Sequence, residues 1–141
     1  MGLLRSRRAT RAIPLVTFVL ASVAGCPGGP DLPPTYRVSG HVTYKGKPVT
    51  GGVVTFLSDK GNLATGPIEG GRYRLSTFGE QDGAVAGHHQ IAVVGTVGDP
   101  SLPLDSMPEA DRIPDRYADL NQTKMEADVP SRKVTIDLHL D

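Results

Sequence analysis

Few residues of this 141-residue chain have side chains and spacing suited to chemistry. Cys26 is the only cysteine. It has no partner for an internal disulfide, so its use is that of a nucleophilic thiolate. His88 and His89 are adjacent, and imidazoles ligate metals. Adjacent side chains of a strand point to opposite faces, so this pair cannot chelate one ion without a bulge. One exposed and one half-buried histidine is the expectation. His41 and His139 both fall on outward faces of their segments. They would approach each other only if the first and last strands pair, and a surface coincidence is expected. Asp99, Asp105, Glu109, Asp111, Asp115 and Asp119 crowd one long loop. Carboxylates suit calcium, but no EF-hand spacing is present. Arg112 and Arg116 stand among them, so a solvated, locally neutralised acidic loop is expected. Ser39, Ser58, Ser76, Ser101, Ser106 and Ser131 lack a nucleophile-elbow context. Gly51-Gly52 and Gly70-Gly71 lack the following helix of a phosphate loop. No metal or cofactor is expected. Arg72 and Arg74 flank Tyr73 on one face and could grip an acidic partner. Their ordinary use would be protection of a sheet edge by charge.

The surroundings of Cys26 give it a context. Arg5, Arg7, Arg8 and Arg11 precede an apolar run from Ile13 to Ala24. A secretory signal has a positive start, ~7–15 apolar residues and small residues at the cut. The run is short of the ~20 residues that a spanning helix needs. Val23-Ala24-Gly25-Cys26 resembles the lipobox of bacterial lipoproteins. The resemblance implies a diacylglyceryl group on the Cys26 sulfur, cleavage between Gly25 and Cys26, and acylation of the new amino group. Several acyl chains, at ~0.8 kcal/mol per buried CH₂, would make release very slow. Ser6-Arg7-Arg8 faintly resembles a twin-arginine export motif, but Thr10 and Arg11 replace the apolar pair that should follow.

Three parts are therefore expected: a signal peptide over 1–25, a tether over 26–35 and a domain over 36–141. The tether is dominated by Pro27, Gly28, Gly29, Pro30, Pro33 and Pro34, and shows no apolar periodicity. Gly28 stands where some bacteria use aspartate for inner-membrane retention, so neither membrane is indicated. Cleavage removes four arginines from a chain with 15 basic and 15 acidic residues, which leaves an excess of four negative charges. That speaks against nucleic-acid binding. It also gives no electrostatic help at an anionic membrane, so attachment would rest on lipid alone.

From Tyr36 the pattern has period two. Val38, Gly40, Val42 and Tyr44 share one face; Arg37, Ser39, His41 and Thr43 share the other. Lys45-Gly46-Lys47-Pro48 reads as a turn. Val53–Leu57 is a β-branched strand, and Gly51-Gly52 before it marks a bulge or close backbone approach. Further strands are expected at Leu63–Ile68, Arg72–Ser76, His88–Thr96, Met125–Val129 and Lys133–Leu140. In the last, Val134, Ile136, Leu138 and Leu140 oppose Thr135, Asp137 and His139. Residues 97–128 form an unusually long loop, with a turn of helix expected over Pro114–Leu120. Short strands, regular turns and no long helix indicate an all-β fold, a single antiparallel sandwich.

Val38-Ser39-Gly40-His41-Val42, Gly46-Lys47-Pro48-Val49, Gly52-Val53-Val54-Thr55-Phe56 and Gly71-Arg72-Tyr73-Arg74-Leu75, with Gly83-Ala84 and Gly87, resemble carboxypeptidase-regulatory-like domains. Ile113-Pro114-Asp115-Arg116-Tyr117 and Ile136-Asp137-Leu138 resemble a group of small bacterial lipoproteins that carry this domain. The likeness spans nearly all of 36–141 and departs at His89, where the group usually has an aromatic. It implies a transthyretin-like (prealbumin-like) sandwich of about seven strands and no enzyme activity. The expected function is a lipid-anchored accessory or interaction module of the cell envelope. Its domain would lie on the periplasmic or extracellular side, against an unidentified protein or glycan. A carbohydrate- or peptide-binding module is the alternative, although the chain has no Trp and four Tyr. A transthyretin-like hydrolase is a weaker one: those enzymes end in Tyr-Arg-Gly-Ser, and here His139-Leu140-Asp141 stands.

Overall fold

In the computed structural model, residues 31–141 are described. The expected signal peptide over 1–25, Cys26 and the first part of the expected tether lie outside them. Among the described residues the regular structure is β, with three single turns of 3₁₀ helix.

Alternation forms the strands and decides their faces. β1 (Thr35–Tyr36) pairs antiparallel with β7 (Ala84–Val85), so pairing starts one residue before the expected domain boundary. β2 (Val38–Tyr44) buries Val38, Val42 and Tyr44 and exposes His41. Lys45 and Gly46 both take positive φ, 48° and 79°. A two-residue hairpin turn of this type twists with its strands only when both central residues do so. It returns the chain as β3 (Lys47–Pro48) against Thr43 and Tyr44. β4 (Gly51–Ser58) lies between β5 (Leu63–Glu69) and β8 (Gly87–Thr96), antiparallel to both. Gly52 meets the expectation of a close approach: a Cβ there would collide with the Val94 carbonyl. β6 (Arg72–Arg74) and β9 (Glu126–Val129) complete the antiparallel set.

The last segments correct one expectation. β10 (Val134–Thr135) and β11 (Leu138–Leu140) do pair with β2, but in parallel, so the sheet is mixed rather than wholly antiparallel. Their faces follow the expected alternation, with Leu138 and Leu140 buried and Thr135, Asp137 and His139 exposed. Across the sheet the strands run β10-β2-β6-β5-β4-β8-β9.

The sheet curls strongly. Phe56 of β4 and Tyr73 of β6 face each other with ring centroids 6.1 Å apart, although β5 lies between their strands. One core results, and Val42, Val54, Phe56, Leu75, Ile91 and Val93 have no exposed surface in it. Each such side chain contributes about 1.5–3 kcal/mol by leaving water.

The long loop is tied down locally. Its 3₁₀ turns are Leu104–Ser106, Glu109–Asp111 and Asp115–Tyr117, each preceded by a proline. The third is the turn of helix expected after Pro114. Met107 and Ile113 anchor the loop by burial. No helix among the described residues is long and apolar enough to cross a membrane.

Candidate interaction surface

Tyr73 points into the core, and strand geometry therefore turns Arg72 and Arg74 outward. Arg74 stands opposite Ser39 and Arg72 opposite His41. β6 has β2 on one side and β5 on the other, so these arginines occupy the face of an interior strand. The expectation of edge protection is thereby corrected. Strand order is a non-local property, and a sequence pattern cannot reveal it.

The parallel pairing of β10 adds two cations to this face. Val134 stands opposite Val38, so Lys133 and Arg37, each one residue earlier, enter side by side. Arg37, Arg74 and Lys133 line one open depression with Ser39, Glu80 and Gln81. Arg72 and Arg74 line a second depression that shares Glu80 and Gln81. Arg74 Nη1 donates to Gln81 Oε1 at 3.0 Å. Asp82 fixes the loop that carries Glu80 and Gln81. Its carboxylate accepts the backbone N–H groups of Thr77 at 2.7 Å and of Phe78 and Gly79 at 3.0 Å. Partial burial works against ionisation of Asp82, but those N–H donors outweigh it and hold the carboxyl below its usual range. Ion pairs among the described residues all involve histidine. Arg37, Arg72, Arg74 and Lys133 therefore have no carboxylate partner among those residues.

The sequence singled out Arg72 and Arg74 but not Arg37 and Lys133. A basic residue at the start of an alternating run was visible in both places. Their adjacency depends on strands 96 residues apart, as the His41–Asp137 contact shows.

The histidines separate into three settings. The His41 backbone N–H donates to Asp137 Oδ1 at 2.8 Å, and its ring Nδ1 lies 3.3 Å from the same oxygen. His139 lies 2.9 Å from the Thr43 hydroxyl instead. The first and last strands do pair, but register places His139 beside Thr43 and Asp137 beside His41. His88 is partly exposed and contacts Asp128 at 2.9 Å and Glu126 at 3.5 Å. The Asp128 hydrogen bond, chiefly, raises its pKa. His89 points the other way, as strand geometry requires, but it is wholly buried rather than half-buried. Its Nδ1 donates to the Gly87 carbonyl at 2.9 Å, and Nε2 has no partner among the described residues. Its ring packs 5.9 Å from that of Phe56, and burial lowers its pKa. The inward position of β8 that faces Phe56 is thus occupied by a buried histidine.

The six acidic loop residues do not converge. Among the described residues no group of three His, Cys, Asp or Glu side chains could hold a metal. Asp99 bonds Ser101, and Asp119 bonds Asn121 and Gln122. Arg116 does not neutralise the loop: its guanidinium donates to the Asp141 carbonyl and packs over Tyr117. Cys26, with the Gly25–Cys26 bond, lies outside the described residues.

Comparison with family models, curated proteins and solved structures yields no match for this chain. The geometry alone therefore defines the site. It offers positive charge and hydrogen-bond donors on an open face, which suits reversible contact with an anionic surface.

Proposed function

We propose that this chain is a lipid-anchored interaction module of the bacterial cell envelope that acts by binding rather than by catalysis. Cys26 carries the acyl groups, residues 26–35 form the tether, and the β domain, a transthyretin-like sandwich of the carboxypeptidase-regulatory-like kind, meets a partner through the Arg72–Arg74 face. The observation that carries this reading is the order of parts along the chain. Val23-Ala24-Gly25-Cys26 follows a charged and then apolar start, a Pro/Gly stretch follows it, and a compact unit begins at Leu32.

Metabolic labelling with a clickable fatty acid tests the anchor. The wild-type chain takes the label and fractionates with membranes. Cys26→Ser loses the label and leaves the membrane fraction. Membrane retention of an unlabelled Cys26→Ser chain at the wild-type level refutes lipid anchoring.

A further inference from the structure

We propose that the depression between Arg37, Arg74 and Lys133 seats the domain on anionic phospholipid headgroups. The choice of a lipid surface rests on the anchoring reading above; the cationic site does not. Three cations reach one depression from three elements: Arg37 after β1, Arg74 from β6 and Lys133 before β10. None has an ion-pair partner among the described residues. Glu80 is the single carboxylate that lines the depression. Arg74 uses one N–H on Gln81, which leaves guanidinium donors for a phosphate oxygen. Ser39 adds a hydroxyl.

Location identifies the occupant. The chain enters the fold at Thr35–Tyr36, immediately before Arg37. From Cys26 to Thr35 the chain can span at most about 30 Å, so an acyl anchor keeps this end of the fold near the headgroups. The acidic loop lies at the other end of β2: Glu109 and Asp115 line a groove with Tyr44 and Lys45. A strand the length of β2 spans ~23 Å, well over the ~8 Å distance at which salt screens charge. The overall negative balance therefore does not oppose seating at the Arg37 end. On this proposal attachment uses charge as well as the anchor, where the charge balance of the whole chain led to the expectation of lipid alone.

The test uses the full chain with Cys26→Ser, so that acylation makes no contribution. Its partition onto phosphatidylcholine vesicles containing one third phosphatidylglycerol is compared with that of the same chain carrying Arg37→Gln, Arg74→Gln and Lys133→Gln. The N-terminal arginines are common to both, so the ratio reads the depression alone. The triple variant is expected to bind on the order of a hundredfold more weakly at low salt, and the difference should shrink at high salt. Arg37→Lys with Arg74→Lys should retain most of the binding, with an unchanged melting temperature. Equal partition of parent and triple variant overturns the proposal. So does tighter, triple-variant-sensitive binding to poly-glutamate than to vesicles, which would assign the face to an acidic protein. Failure of anchoring is read separately, by acyl label on the wild-type Cys26.

Discussion

The Tyr73 hydroxyl donates to the Ile136 carbonyl at 2.6 Å, across 63 residues of sequence. In a regular parallel ladder the His41 N–H would hold that carbonyl. Here the N–H goes to the Asp137 carboxylate instead, at 2.8 Å, while Ile136 N–H keeps its ladder bond to Ser39. One side chain thus replaces a backbone acceptor, and another takes up the released carbonyl. The exchange explains the gap between β10 and β11. Burial, and secondarily the charge of Asp137, raise the Tyr73 pKa, so the phenol remains a donor. Tyr73→Phe leaves the Ile136 carbonyl without that donor inside the fold. A loss of about 1–3 kcal/mol is expected in urea denaturation.

Gly40 makes this exchange possible. A Cβ on residue 40 would run into the Ile136 carbonyl, which is backbone and cannot yield. Gly40→Ala is therefore expected to cost more than about 2 kcal/mol. Gly79→Ala provides the contrast: the nearest atom to its Cβ is Asp82 Oδ2 at 3.9 Å, and its effect should stay within about 1 kcal/mol. Equal losses by denaturation would contradict the assignment of Gly40 to close packing.

His89 predicts an acid limit to stability. Burial holds its folded pKa below the ordinary value of 6.5. The unfolded chain takes up a proton below that value while the folded chain resists. Stability should thus be constant with respect to His89 above pH 6.5 and fall as pH drops below it, down to the folded pKa. His88 has the opposite sign, because its pKa is raised: its contribution is present in acid and fades as pH rises through the folded value. Melting curves across pH for His89→Phe, His89→Leu and His88→Gln separate the two. Both His89 variants should lose the slope below pH 6.5, whereas His88→Gln should leave that slope in place and remove the decline in stability above pH 6.5.

Asp82 organises the loop beside the cationic face through three backbone N–H groups. Asp82→Ala should destabilise the domain by about 1–3 kcal/mol and speed proteolysis between Ser76 and Gly83. Since the Asp82 carboxyl lies below its usual value of 3.8, its contribution is present above that value and lost as pH falls through the folded pKa. Loop cleavage by pepsin at decreasing pH reads this directly. An Asp82→Ala loop as protease-resistant as the wild type would remove the role.

Local pattern and non-local placement differ in how far sequence exposes them. Alternation identified β2, β4, β8 and the Lys133–Leu140 segment, because side-chain direction in a strand has period two. Gly46 identified the turn, since glycine takes positive φ without cost; the positive φ of Lys45 and the pairing of Lys47–Pro48 as β3, rather than as part of the turn, were not legible. The parallel course of β10 and β11 was not legible: an alternating run is the same whichever way it lies. For the same reason Arg72 and Arg74 were recognisable as a pair, but not as part of a face with Arg37 and Lys133. Full burial of His89 was concealed by its polarity. Its inward phase with Ile91 and Val93 was visible, but the Gly87 carbonyl that accepts its proton follows from backbone geometry.

The attachment of β10 and β11 along β2 has a bearing on the order of assembly. β2 is among the first strands synthesised, and it gains one flank only from residues made nearly a hundred positions later. Until those arrive, Val38–Tyr44 offers a half-unpaired ribbon to any passing polypeptide. A chain built in this way completes its architecture only after its tail has left the ribosome.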